Sequence, residues 1–159
     1  MSAPVPAYPL QGEHLFAMHA TLQAPEVMGP VPEGIRVNFH VTGGRIEGAR
    51  LRGKVQAAFG CDWFTLRSDG VGELDVRLTV ETDDGALIDV RYDGIGDLGA
   101  DGYAAFLRGE LPPVLPLHTA PRFRCAHPDY QWLQRLACVG VGAADLVGFQ
   151  VRYDVYALR

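Results

Sequence analysis

Residues 70–82, GVGELDVRLTVET, alternate strictly: Leu74, Val76, Leu78 and Val80 fall on one side, and Glu73, Asp75, Arg77, Thr79 and Glu81 on the other. A period of two belongs to an extended strand with one face buried. After Asp83-Asp84-Gly85 the pattern resumes in ALIDVRYDG, and the connection is short enough for an antiparallel hairpin. The same reading predicts further strands near residues 13–23, 34–42, 48–57, 62–67, 115–124, 133–142 and 145–158. Only two stretches suit a helix. One is DGYAAFLRGEL at 101–111, which Pro112-Pro113 would end, and the other is HPDYQWLQR at 127–135, with Asp129 as its cap.

Asp-Gly pairs at 69–70, 84–85, 93–94 and 101–102 mark turns that need positive φ. Gly43, Gly44, Gly48, Gly53 and Gly60 recur in and around predicted strands, where a sheet must bend or admit a neighbouring backbone. About eight strands leave open edges unless the sheet curls on itself, and closure removes those edges. The expectation is an all-β fold: a single closed antiparallel β-barrel of about eight strands, with at most one or two short helices. Residues 1–11 are read as a flexible segment and 12–159 as the barrel domain.

Composition narrows the function classes. At 159 residues the chain is long enough for one core. A formal net charge of −5 and no lysine-arginine cluster in the sequence argue against nucleic acid, whose binding rests on phosphate neutralisation. No apolar run approaches the ~18 residues of a membrane helix, and MSAPVPAYPLQGEH has neither a basic nor an apolar leader pattern. The expected setting is cytoplasmic, with no membrane partner. Cys61, Cys125 and Cys138 are an odd, scattered set, read as reduced thiols. GxSxG, GxGxxG, P-loop and HExxH patterns are all missing from the sequence, so hydrolase, dinucleotide, nucleotide and zincin chemistry lose their basis. Neither a cofactor nor a metal is expected. Cys125 and His127, near His118, make no closed ligand set.

Candidate chemistry sits on strand faces whose direction the pattern leaves open. Arg36, Asn38 and His40 share a face opposite Ile35, Val37, Phe39 and Val41; that face either lines a cavity or meets water. Asp75, Arg77 and Glu81 are either ordinary surface pairs or buried charges with shifted titration. Asp62-Trp63 follows a glycine-containing bend, where the indole either walls a ligand and raises the acid's pKa or packs in a core. Tyr130 and Trp132 are either a further aromatic wall near the barrel mouth or simple packing.

The segments PEGIRVNFHVTGGRIEGARLRGKV, GCDWFTLRSDGVGELDVRLTVETDDGALIDVRYDGIG, HPDYQWLQR and YDVYAL, in that order, resemble the bacterial family called domain of unknown function 3237. The resemblance runs from about Gly12 to the C-terminus. It implies a small barrel similar in architecture to allene oxide cyclase and dirigent-like barrels, often a homo-oligomer, and no settled activity. It also gives weight to Arg36, Asp75 and Arg77. The combined expectation is a cofactor-independent cyclase, isomerase or lyase acting on a small lipophilic or aromatic molecule in the barrel. Asp62, Asp75 and His40 would move protons, while Arg36, Asn38, Trp63, Arg77, Glu81, Tyr130 and Trp132 would hold the substrate. The alternatives are a carrier with the same pocket and no turnover, or a structural oligomer whose barrel is filled by side chains.

Overall fold

A computed structural model describes residues 2–159 of the chain. Ten strands form one antiparallel sheet: β1 (Gly12–Leu22), β2 (Glu26–Val31), β3 (Gly34–Glu47), β4 (Arg52–Val55), β5 (Cys61–Leu66), β6 (Val71–Thr82), β7 (Leu87–Asp97), β8 (Val114–Arg124), β9 (Cys138–Asp145) and β10 (Gln150–Leu158). Pairing of β1 with both β10 and β3 closes the sheet into a barrel of eight positions. β4 and β5 share one position between β3 and β6. On the other side of β3, β1 pairs with its second half and β2 with its first. The expected all-β closed barrel of about eight strands is thus the observed fold, with two extra strands.

Parity decides which side chains go inward. On β6, Leu74, Val76, Leu78 and Val80 are buried while Glu73 and Arg77 are exposed. On β3, Ile35, Val37 and Val41 face the interior with Phe39. A bulge at Leu15 lets Leu15 and Phe16 both be buried, and the register slips there. The glycine expectation is sharpest at Gly44 and Gly53. A Cβ on Gly44 (φ +147°) would lie 2.0 Å from the His19 carbonyl oxygen, and one on Gly53 would lie 2.4 Å from that of Glu81. Neighbouring strands approach too closely there for any side chain.

Several boundaries differ from expectation. β3 runs through the Thr42-Gly43-Gly44 segment to Glu47, and the strand expected at 48–57 shortens to β4. β2, with Gly29 and Pro30 inside it, shows no alternation in sequence and pairs only with β3. α1 (Gly102–Leu107) joins β7 to β8 at one end of the barrel. A 3-10 helix (Pro128–Arg135) joins β8 to β9 at the other end and occupies residues assigned to the start of a strand. Its cap is His127, whose Nδ1 accepts from the Asp129 amide at 3.2 Å, so Asp129 is the capped residue and not the cap.

The interior has two halves. At the 3-10 end it is packed: Phe16, Ile46, Leu51, Val80, Ile88 and Leu133 are each at most 2% exposed, and Phe16 meets Phe123 edge to face at 5.8 Å. At the α1 end it is hollow.

Candidate functional site

The hollow lies between the barrel's middle and the end carrying α1. Its walls come from inward positions of β1, β3, β5, β6, β7, β8, β9 and β10, including Ala20, Phe39, Phe64, Leu74, Leu117 and Val151. Leu98, Phe106 and Leu111, from the segment around α1, and Leu146 and Phe149, from the β9–β10 turn, cover the mouth. Phe149 holds a left-handed backbone (φ 51°), a conformation costly for a bulky residue. The volume open to water centres is about 70 Å³. That holds several waters, and it is about half of the ~150 Å³ apolar cavity that admits a benzene ring.

Four polar side chains interrupt this apolar lining: Asp62, Tyr92, Asp145 and Tyr153. Asp62 lies on β5 at inward parity, opposite Phe39 and Val76. The β5–β6 ladder is interrupted at Trp63 and Phe64, and the Asp75 backbone N–H donates to Asp62 Oδ1 at 3.0 Å instead. Burial among hydrocarbon raises the Asp62 carboxyl to about 7. The Asp75 amide opposes that shift, the Asp75 charge adds to it, and the Arg36 charge opposes it. The acid is therefore near half-protonated at neutral pH.

Tyr92 on β7 and Tyr153 on β10 meet edge to face at 5.6 Å. Burial first, then nearby groups that include the Asp62 charge, hold both phenols well above their ordinary range, so both remain neutral donors. The Tyr153 hydroxyl is buried beside that of Tyr92, which interacts with it without forming a hydrogen bond of good geometry, a costly state unless a ligand or water completes it. Asp145 at the rim has the opposite environment. It accepts from the amides of Val147 (2.9 Å) and Gly148 (2.8 Å) and from Gln150 Nε2 (3.1 Å), and these bonds hold it below the ordinary carboxylate range.

Of the residues expected to form the site, Asp62 alone lines the hollow. Strand parity turns Arg36, Asn38, His40, Trp63, Asp75, Arg77 and Glu81 to the outer face of the barrel wall, where Asn38 and one Asp75 oxygen are nonetheless buried. Arg36 Nη1 donates to the carbonyls of Trp63 (2.8 Å) and Phe64 (3.1 Å) and to Thr65 Oγ1 (2.7 Å), so it braces the wall where the ladder is open. Asn38 Nδ2 donates to Glu26 Oε1 at 2.9 Å, and His40 Nε2 lies 3.5 Å from the same oxygen. Trp63, 40% exposed, touches His40 edge on. Glu81 faces Lys54 at 3.3 Å. Asp75 reaches the site through its backbone amide and through the field of its charge, its side chain lying outside the hollow.

Tyr130 and Trp132 belong to the 3-10 helix at the end opposite the mouth. Tyr130 donates to Asp84 Oδ1 at 2.7 Å, and the Trp132 ring lies under the Arg50 guanidinium at 3.7 Å. At that end Asp84, His127 and Asp129 bring ligand-type atoms within 4.8 Å of one another on an exposed surface. Cys125 is buried apart from them. Sequence reasoning missed Tyr92 and Tyr153. Their parity was available, since Tyr92 follows Ile88 and Val90, and Tyr153 lies between Val151 and Val155, on faces that are apolar otherwise.

Together these features define a closed antiparallel barrel with a one-ended apolar hollow holding a single near-neutral carboxyl. The chain belongs to the family described as "Protein of unknown function (DUF3237)", whose model matches residues 10–158. A UPF0311 protein of Rhodopseudomonas palustris is 33% identical over 146 residues, covering 89% of this chain and 95% of the relative. The crystal structure of that organism's conserved protein of unknown function superposes with a TM-score of 0.84 at 29% identity, over 96% of this chain and all of that one. A beta-barrel like protein from Acinetobacter baumannii AYE gives 0.80 at 29% identity, over 98% and 100%. A protein described as an enzyme from Penicillium herquei gives 0.72 at 20% identity, over 99% and 100%, a likeness of fold alone.

Proposed function

We propose that the protein is a cofactor-independent proton-transfer enzyme, of the isomerase, cyclase or lyase type, acting on a small neutral apolar molecule bound in the hollow. The observation that carries this reading is one carboxyl with a pKa of about 7 in a hydrocarbon-lined hollow beside two neutral phenols. A general base is most effective when its pKa lies near the working pH. Burial supplies that value here, as it does at other proton-transfer sites.

The chemistry follows from the arrangement. Ionised Asp62 accepts a proton from carbon next to a substrate carbonyl, and the electron pair moves to the carbonyl oxygen. Tyr153, which makes no well-formed hydrogen bond to the protein, donates to that oxygen while Tyr92 beside it supports its hydroxyl, stabilising the enolate as charge develops. Protonated Asp62 then returns the proton at a different carbon, or to an oxygen leaving group. The lining holds no cationic side chain, so a substrate carboxylate or phosphate would be buried without a counter-charge. A neutral aromatic ketone meets the polarity of the hollow, and one of one or two rings would also occupy the mouth, displacing Leu98, Phe106, Leu111 or Phe149.

The test is hydrogen–deuterium exchange at the α-carbons of 2-tetralone in D2O, followed by NMR. Wild type is expected to accelerate exchange with a rate that rises through an apparent pKa near 7, and Asp62→Asn to lose about 100-fold or more. Exchange at the background rate for both proteins, with 2-tetralone still bound, would make the protein a carrier and end the enzyme reading.

A further inference from the structure

We infer a second site, on the outside of the barrel, for a compact multivalent oxyanion of the phosphate class. Arg77 on β6 is the register partner of Arg91 on β7, and Arg91 that of Arg122 on β8. Three arginines thus stand in one row across three adjacent strands, all exposed and on the same face. Directly opposed side chains on an antiparallel sheet have Cβ atoms about 4.5–5.5 Å apart, and like charges placed so are unfavourable. The middle guanidinium feels both neighbours.

Outside this row four arginines have carboxylate partners, while Arg36, Arg50, Arg52, Arg135 and Arg152 stand singly with no carboxylate oxygen within 4.0 Å among the described residues. Arg67, Arg108 and Arg159 each engage one or two carboxylates, and Arg45 lies near Glu47 and Asp83. Among the described residues, no carboxylate oxygen lies within 4.0 Å of the guanidinium nitrogens of Arg77, Arg91, Arg122 or Arg124. Arg124 joins the row's edge, opposite Asp89. These four arginines line one recess of about 620 Å³, whose wall on the 3-10 side is Gln134 and Leu136. Asp89 and Asp93 also line it, so cationic groups outnumber anionic ones two to one in a chain of net charge −5.

Planar guanidinium forks match the oxygens of phosphate bidentately. A pyrophosphate-sized ligand spans a row of three better than a single phosphate does, and the two aspartates would repel ligands that extend past the row along the strands. The site is separate from the hollow: it lies on the opposite side of the barrel wall and neither reading depends on the other.

Thermal unfolding and isothermal titration with pyrophosphate, inorganic phosphate and sodium chloride at matched ionic strength test it. Pyrophosphate is expected to raise the unfolding midpoint saturably, inorganic phosphate less, and chloride least. Arg91→Gln should weaken pyrophosphate binding about tenfold or more. Without added anion it should unfold at a temperature unchanged or about 2–4 °C higher, since it relieves the repulsion in the row. Arg122→Gln checks the row independently, and Arg152→Gln on β10, outside the recess, should leave binding unchanged. Equal effects of all three salts, or pyrophosphate binding indifferent to both row variants, would overturn the site. So would concentration-dependent self-association that Arg91→Gln abolishes, which would give the row to a second copy of the chain.

Discussion

The two halves of the barrel interior are made from the same strands, yet one is filled and the other is not. Toward the 3-10 helix the inward positions carry Phe16, Ile46, Val80, Ile88 and Phe123, and Leu133 plugs the end. Toward α1, Ile35 and Leu66 are fully buried along one side, but β1 and β9 supply only Ala20 and Ala144, and the space between Leu22, Leu98 and Phe149 stays open. The boundary is the level of Tyr92 and Tyr153, whose rings rest on the packed half while the hollow reaches them from the other side. A packed half holds the strands in register; an unfilled, apolar-lined half leaves a carboxyl in low-dielectric surroundings beside space that a ligand can take. The difference teaches that stability and chemistry are divided along the barrel axis.

Core truncation tests this division most strongly. Phe16→Ala in the packed half should cost about 3–5 kcal/mol of unfolding free energy, since its ring is 1% exposed among close-packed neighbours. Leu111→Ala at the mouth, where the side chain is 42% exposed, should cost under about 1 kcal/mol. Denaturant unfolding of the two variants reads the contrast. Equal costs would mean that the mouth is as much a part of the core as the floor.

Much of the fold was legible because closure leaves a simple signature. GELDVRLTVET alternates without a break, and its inward set is the observed one. The expectation failed where a tertiary partner decides. β2 is a strand only because β3 offers it an edge, and EVMGPV carries no period of two that would announce it. The site was harder to read, since a period of two divides each strand into two faces without saying which is inside. On β3 and β6 the apolar face is the inner one, so Arg36, His40, Asp75 and Arg77 fall outside. On β5 the run Cys61-Asp62-Trp63-Phe64 gave no such guide: the tryptophan points out and the aspartate points in. The pocket's polar groups sit on an apolar face, and a search for polar faces passes over them.

The second prediction concerns the penalty of keeping Asp62 dry. Its carboxyl has a pKa of about 7 in the folded protein against an ordinary 3.8, so the folded state holds the proton more tightly than the unfolded one. Well below pH 3.8 both states are protonated and the group makes no difference. As the pH rises toward and through 7 the unfolded state gains from ionising first, and stability falls by roughly 2–4 kcal/mol. Unfolding free energy measured from pH 4 to pH 8 should show this decline; Asp145 and Asp84, whose values are lowered, contribute stabilisation that is essentially complete across that range and is lost only below it. Asp62→Asn should flatten the decline above pH 5. An unchanged slope in the variant would mean that the carboxyl is wet and would remove the basis of the proposed chemistry.

The smallest expected change in stability lies at the boundary between the halves. Tyr153 carries a buried hydroxyl with no well-formed hydrogen bond among the described residues, and a polar group left unsatisfied costs about 1–3 kcal/mol. Removing it in Tyr153→Phe takes away that penalty and keeps the edge-to-face contact with Tyr92, so the variant should unfold at the same free energy as wild type or up to about 1 kcal/mol higher. A structural tyrosine would behave in the reverse way, losing stability with its hydroxyl. Exchange of 2-tetralone in the same variant should slow about tenfold or more with its pH profile unmoved, because the oxygen that develops charge loses a donor while Asp62 keeps its surroundings. A fall in stability with full exchange activity would assign the hydroxyl to the packed half and leave the hollow with one functional group.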